Sequence, residues 1–356
     1  MGIEFLGNKK QLENFIMDSM SSCIDNSCHT YLDVFSGTGS VSAAFKKAGH
    51  SVIANDFLSF TSCLTKAILL NNTEPRFSGL KKHLGNFYDE TDPYGAVLQY
   101  LNSLHGIPGF VYHNYSPASA YNGQVARMYF TEENAMKIDV IRKTIEIWTN
   151  SLLDSEKALL ISDLLNATSD ISNIAGTYGC YMKYWKAKAL QKLHLKKSVI
   201  IPGNANYSII SGDANAIIED YPVDVIYADP PYTKRQYSAY YHILETICQY
   251  DNPPISGDTG LRRWQDNSSE YCYRRKAPGA LADLVSKAKC KYFVLSYNND
   301  GQIPHETILN ILAPYGDIKV FETPYRRYKS NSTGLHKPPL VERLYILRMR
   351  NNHDTN

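Results

Sequence analysis

Tyr31-Leu32-Asp33-Val34-Phe35-Ser36-Gly37-Thr38-Gly39 is the run from which the architecture is read. Tyr31–Phe35 predicts a buried strand, and Ser36–Gly39 predicts a tight glycine turn that stops it. A helix is predicted from Val41 to Ala48, closed by Gly49. Ser51-Val52-Ile53-Ala54 predicts a second strand, ending at Asn55-Asp56. Strand, glycine turn, helix and strand together begin a doubly wound α/β sheet. Upstream, Leu12, Phe15, Ile16 and Met20 fall at helical spacing.

From Thr73 to Lys197 strand signals thin out. Thr131 is a predicted N-cap, with Glu132 and Glu133 in the first turn. Ile138, Ile141, Ile145 and Trp148 mark one face of the helix that follows. Further helices are predicted over Ser151–Asn166 and Tyr181–Lys197. The stretch Tyr112–Tyr129, which contains Arg127, reads as a loop rich in Tyr, Asn, Ser and Gly. Residues 73–197 thus read as a mainly helical insertion between two parts of one α/β domain, 1–72 and 198–350. After Ser198 the strand pattern returns, at Ser208–Ile210, Val223–Ala228, Tyr292–Ser296, Lys319–Glu322 and Leu344–Leu347. Between these, 251–278 is rich in proline, glycine and basic residues and reads as a long mobile loop near the site.

Hydrophobic residues make up 44% of the 356 positions and charged residues 20%, an ordinary globular balance. The first twenty residues carry Glu4, Lys9, Lys10 and Glu13 where a signal peptide needs an apolar core, so the chain reads as cytosolic. A net charge of +2 does not announce a nucleic-acid binder. Basic clusters occur at Lys183–Lys197, at Arg262 and Arg263, at Arg274–Lys276, and at Arg326, Arg327 and Lys329. Each reads first as a solvated face. Seven scattered cysteines do not suggest a disulfide framework. Cys23, Cys28 and His29 lack a second ligand cluster, so no metal site is expected.

Two motifs carry chemistry. Asp229-Pro230-Pro231-Tyr232 follows directly on the strand Val225–Ala228. Ligands of open α/β sheets bind beyond the carboxyl ends of the strands. Two prolines there remove two N–H donors and leave acceptors, a carboxylate and carbonyl oxygens, beside an aromatic ring. That set suits a planar amino group donating two hydrogen bonds. Taken alone, it reads equally well as a stiff strand end with Tyr232 packed. The second motif is Asp33-x-Phe35-x-Gly37-x-Gly39, with Asp56 at the end of the next strand. Ser42 occupies the third glycine position of a dinucleotide fingerprint, which weakens a pyrophosphate reading. An adenosine-containing cofactor fits, and so does a plain βα connection.

The sequence resembles the Dam-like N6-adenine DNA methyltransferases of type II and type IIS restriction–modification systems. Phe5–Leu12, including Lys9, is similar to their N-terminal cofactor motif, and Asp33–Gly39 to their methionine-binding loop. Asn55-Asp56 sits where the family keeps its ribose-binding acid, and Gly212-Asp213 matches its short acidic motif. Asp229–Tyr232 matches the catalytic tetrapeptide, and Leu295-Ser296-Tyr297-Asn298 a later strand motif. Arg235-Gln236-Tyr237, Tyr241-His242 and Leu244-Glu245-Thr246 resemble the restriction-system subgroup. The order of these motifs is the family's alpha order, which makes 73–197 the expected target-recognition domain.

The resemblance implies a Rossmann-like fold, S-adenosyl-L-methionine as cofactor and duplex DNA as substrate. It implies methyl transfer to N6 of a flipped-out adenine, without a metal. Asp229, Pro230, Pro231 and Tyr232 are then catalytic. Lys9, Asp33, Phe35, Gly37, Gly39, Asp56 and Asp213 hold the cofactor. Arg235, Gln236, Tyr237 and Arg127 are the expected DNA contacts, and Asn114 and Asn122 are further candidates for reading base edges. A cognate endonuclease, or a second methyltransferase acting on the same site, is an expected partner. Three rivals stay open: an RNA adenine methyltransferase, a DNA-binding module with a decayed site, and a nicotinamide dehydrogenase. The intact Asp229, Tyr232, Gly37 and Gly39 count against decay.

Overall fold

The computed structural model describes residues 3, 5, 7–325 and 340–350. The basic cluster Arg326, Arg327 and Lys329 lies outside the described residues. Among those described, the strands in chain order are β1 (Thr30–Asp33), β2 (Ser51–Asn55), β3 (Tyr207–Ile210), β4 (Val225–Ala228), β5 (Ile255–Ser256), β6 (Leu261–Arg262), β7 (Tyr292–Asn298), β8 (Gly316–Tyr325) and β9 (Leu340–Met349). The chain divides into two compact units.

One unit comprises 9–57, 205–236 and 269–356 and holds a seven-stranded sheet in the order β3-β2-β1-β4-β7-β9-β8. β3, β2, β1, β4 and β7 run parallel, while β9 is antiparallel to both β7 and β8. Helices cover both faces of such parallel strands, so their sequences run apolar without alternation. β4 and β7 are buried at every position. The strand order reverses between β1 and β4, with Asp33 paired in register with Tyr227. The carboxyl ends of β1 and β4 therefore flank the topological switch point, where open sheets bind ligands.

The other unit comprises 1–8, 58–204 and 237–268. Its longer helices are Ser59–Leu70, Pro93–Ser103, Glu132–Ile147, Asp154–Asp170 and His242–Gln249, packed around one core. This unit is larger than the expected insertion. Ser59–Leu70, read as part of the α/β domain, is helical and ties to the Asp154–Asp170 helix through Cys63 on the Ala158 carbonyl and Asn71 on the Ser155 carbonyl. The Thr131 hydroxyl accepts the Asn134 N–H as predicted, and Ile138, Ile141, Ile145 and Trp148 are buried. Thr131→Ala is expected to cost about 1 kcal/mol of stability, read as a lower urea midpoint with an unchanged m-value.

One expectation is corrected. Tyr181–Lys197 is not a helix; apart from one short turn at Ala187–Leu190 it has no regular helix or strand. Three asparagines, two of them buried, claim its backbone. Asn173 accepts from the Lys186 N–H, Asn134 binds the Gln191 carbonyl and the Leu193 N–H, and Asn102 accepts from the Leu195 N–H. These bonds take the groups a helix needs for itself.

The segment 251–278, read as a long mobile loop near the site, contains regular elements. It carries the β5–β6 hairpin, a helix from Ala277, and the buried Tyr271 and Cys272. Tyr115 and Tyr129 hydroxyls donate to the Gly260 and Thr259 carbonyls, and Arg262 pairs with Asp251.

Many of the basic side chains are spent on acids: Lys192 on Glu133, Lys197 on Glu74 and Asp92, Arg263 on Asp266 and Lys276 on Glu270. Among the described residues no helix is long and apolar enough to cross a membrane.

Candidate active site

The end of β1 is held open by its neighbours. The Ser36 N–H donates to the Asn55 carbonyl, and the Gly37 N–H donates to Asp56 Oδ2 at 2.9 Å. Gly37 and Gly39 have φ of 51° and 78°, in the left-handed region that favours glycine. Asn55, fully buried, joins three strand ends: its amide donates to the Val34 and Gly212 carbonyls and accepts from the Gly212 N–H. Asp213 follows on β3 and caps the short helix Ala214–Ile217 through Oδ1. Phe35 packs edge-on to Tyr271.

Asp33 is buried beneath this turn. The Ser42 hydroxyl donates to its Oδ2 at 2.6 Å, while Oδ1 has no hydrogen-bond partner among the described residues. Burial pushes its carboxyl up to about 7, against the Ser42 bond. Ser42, which looked like a missing glycine, is thus the residue that anchors Asp33.

Asp229 leaves the end of β4, with Pro230 buried and Tyr232 half-buried. Lys9 Nζ lies 3.1 Å from Asp229 Oδ1 and 2.5 Å from Glu342 Oε1. It also stands 5.2 Å above the Tyr232 ring, a cation–π contact. Lys9 is 4% exposed and Glu342 1%. The Ser296 hydroxyl on β7 donates to the same Glu342 oxygen at 2.8 Å. Desolvation pushes Asp229 up to about 7; Lys9 opposes the shift, and Glu342 and Asp33 add to it. Lys9 is held well above the usual lysine range by Asp229 and Glu342, despite its burial. Tyr232 meets Tyr297 edge-on at 6.0 Å, and its carbonyl accepts the Gln302 N–H.

One compact unit therefore brings together Lys9, Asp33, Phe35, Gly37, Gly39, Asp56, Asp213 and Asp229–Tyr232. Glu342 was missed. Its signal was a carboxylate at an inward position of an apolar strand, Leu340 to Leu347, where a charge needs a partner.

The expected DNA contacts fare unevenly. Arg235 is exposed, immediately after the motif. Gln236 is buried and exchanges two bonds with the Ser269 backbone, so it anchors a loop. Tyr237, in the helical unit, stacks on Tyr241 and packs on Phe5. Arg127 is 4% exposed. Its guanidinium donates to the Asn114, Gly257 and Asp258 carbonyls and to Gln124. Arg127 is a buried strap between these segments. The Asn114 amide donates to the Phe110 carbonyl, and the side chain of Asn122 lies outside what is described.

A mostly parallel sheet, a glycine turn after β1 and an acid–proline–proline–tyrosine motif after β4 fit a Rossmann-like methyltransferase. Residues 5–313 match the model of the D12 class N6 adenine-specific DNA methyltransferases, and the chain belongs to that family. It is similar to the type II methyltransferase M.FokI of Planomicrobium okeanokoites, with 40% identity over 92% of this chain and 50% of the relative. The modification methylase StsI of Streptococcus sanguinis is 32% identical over 97% of this chain and 52% of its own length. The type II methyltransferase M.NlaIII of Neisseria lactamica is 31% identical over 93% of this chain and 94% of its own length. The chain thus spans about half the length of the first two, and nearly all of the third.

Proposed function

We propose that the protein methylates the N6 amino group of a flipped-out adenine at a specific duplex DNA sequence, using S-adenosyl-methionine, as the protective member of a restriction–modification system. The observation that carries this reading is Asp229 at the switch point, at the end of β4, with Lys9 and Tyr232 beside it. The adenine amino group is a poor nucleophile because its lone pair is delocalised into the ring. Asp229 accepts one N–H and the Pro230 carbonyl the other, which localises that pair and stabilises positive charge growing on nitrogen. Tyr232 stacks on the extruded base, a contact worth about 1–3 kcal/mol.

The residues present suit a cationic cofactor. The buried Glu342 and the partly buried Asp229 share one buried ammonium, and the buried Asp33, in the same unit, has no hydrogen-bond partner for Oδ1 among the described residues. When bound, S-adenosyl-methionine supplies an electrophilic methyl group on a sulfonium. Asp33 and the Gly37–Gly39 turn hold its methionine end, Phe35 borders it, and Asp56 takes the ribose hydroxyls. Asp213 accepts from its adenine amino group.

Both Asp33 and Asp229 are raised to about 7, so they lose protons, and gain affinity for a cation, as pH rises through that value. The cofactor dissociation constant is expected to fall roughly tenfold from about pH 6 to about pH 8, measured by calorimetry. A flat profile would count against the buried carboxylates as its counter-charge.

Arg235 contacts the target strand, and the helical unit, chiefly 58–204, supplies target recognition. A cognate endonuclease or a second methyltransferase acting on the same site is the proposed partner. Expression in cells lacking DNA methylation tests the reading. Digested DNA should contain N6-methyladenine by mass spectrometry; methylated cytosine in its place would contradict it.

A further inference from the structure

Glu342 lies on β9, and the intervening β7 separates that strand from β4, at whose end Asp229 stands. Its Oε1 takes both the Lys9 ammonium and the Ser296 hydroxyl, and its Oε2 accepts no hydrogen bond among the described residues. The charged and titratable groups facing this pair are Lys9, Asp229, Tyr227 and Asp33, with Tyr232 beneath the ammonium. One ammonium thus serves two carboxylates, and it sits 0.6 Å closer to Glu342 (3.1 against 2.5 Å). Paired with Lys9 alone, Asp229 would be largely neutralised and would be a weak acceptor.

We infer that Glu342 is a positioning residue that divides the Lys9 ammonium with Asp229, keeping Asp229 aimed at the base and basic enough to accept its amino N–H. This rests on the assignment of Asp229 as the acceptor in adenine methylation. Glu342 touches no reacting atom; it acts through Lys9. General bases and acceptors work best with a proton affinity near the operating pH. A second carboxylate on the same lysine is a way to set that affinity without exposing the site to water.

The test is the pH profile of kcat for methyl transfer to duplex DNA. In Glu342→Gln, Lys9 is left to Asp229. The acid limb is expected to move down by about one pH unit and the plateau kcat to fall roughly tenfold. Glu342→Asp, which restores the charge, is expected to return the limb to within a few tenths of wild type. Ser296→Ala leaves the Glu342 oxygen to Lys9 alone, so its limb is expected to move up, opposite to Glu342→Gln. A purely structural role predicts lower thermal stability with every limb at the wild-type position, and that result overturns the inference. If Glu342→Gln does not fold, the direction of the Ser296→Ala shift decides: upward supports the inference, no shift or downward overturns it. A wild-type protein that methylates no adenine would instead defeat the acceptor assignment itself.

Discussion

Asp229→Ala is expected to lower kcat by at least about 10²–10³-fold, with thermal stability little reduced. The loss arises because one acceptor of the amino group disappears while its partner, the Pro230 carbonyl, remains. Acceptors fixed in advance at the end of a buried strand act without reorganisation, so removing one removes transition-state stabilisation rather than ground-state binding. The effect should therefore fall on kcat more than on KM for DNA, in steady-state assays with labelled cofactor. Stability should hold because Lys9 keeps Glu342 as a partner at 2.5 Å. A variant that kept wild-type kcat would remove Asp229 from the chemistry.

Lys9→Met is expected to have the larger effect on stability, about 3–5 kcal/mol, because it leaves a buried and a partly buried carboxylate without their cation. The sign of its pH dependence follows from linkage. Asp229 already holds its proton more tightly in the folded protein than its ordinary value allows, up to about 7. Loss of the ammonium raises it further. A folded state that binds more protons than the unfolded one is stabilised as pH falls. The deficit should thus be greatest above about pH 7 and shrink toward pH 5. Denaturant unfolding of both proteins across that range measures it. A deficit that grows on acidification would mean that Lys9 is not the counter-charge.

Local signals carried the sheet's centre into view. β1, β2, β4 and β7 are short apolar runs ended by Gly, Asn-Asp or Pro, and each was placed to within a few residues. The Glu132–Ile147 helix was equally legible from its cap and its apolar face.

What escaped depends on groups far apart in the chain. Tyr181–Lys197 has the composition of a helix, yet Asn102, Asn134 and Asn173 bind its backbone from 13 to 93 residues away. Arg127 has the chemistry of a guanine reader and is spent on the carbonyls of residues about 130 positions distant. Glu342 lies 333 residues from Lys9, so no spacing rule connects them. In each case a side chain of fixed type meets a partner that only the closed fold supplies. The reach of the helical unit into 58–72 and 237–268 was hidden for the same reason: helices there bury their apolar faces in its core rather than against the sheet.

The most direct measurement incubates the protein and its Asp229→Ala variant with methyl-labelled S-adenosyl-methionine and unmethylated duplex DNA, then separates the digested nucleosides. Label in N6-methyladenine with the wild type, and none with the variant, is the predicted result. A folded wild-type protein that binds the cofactor and labels RNA or protein but not DNA adenine would contradict the account.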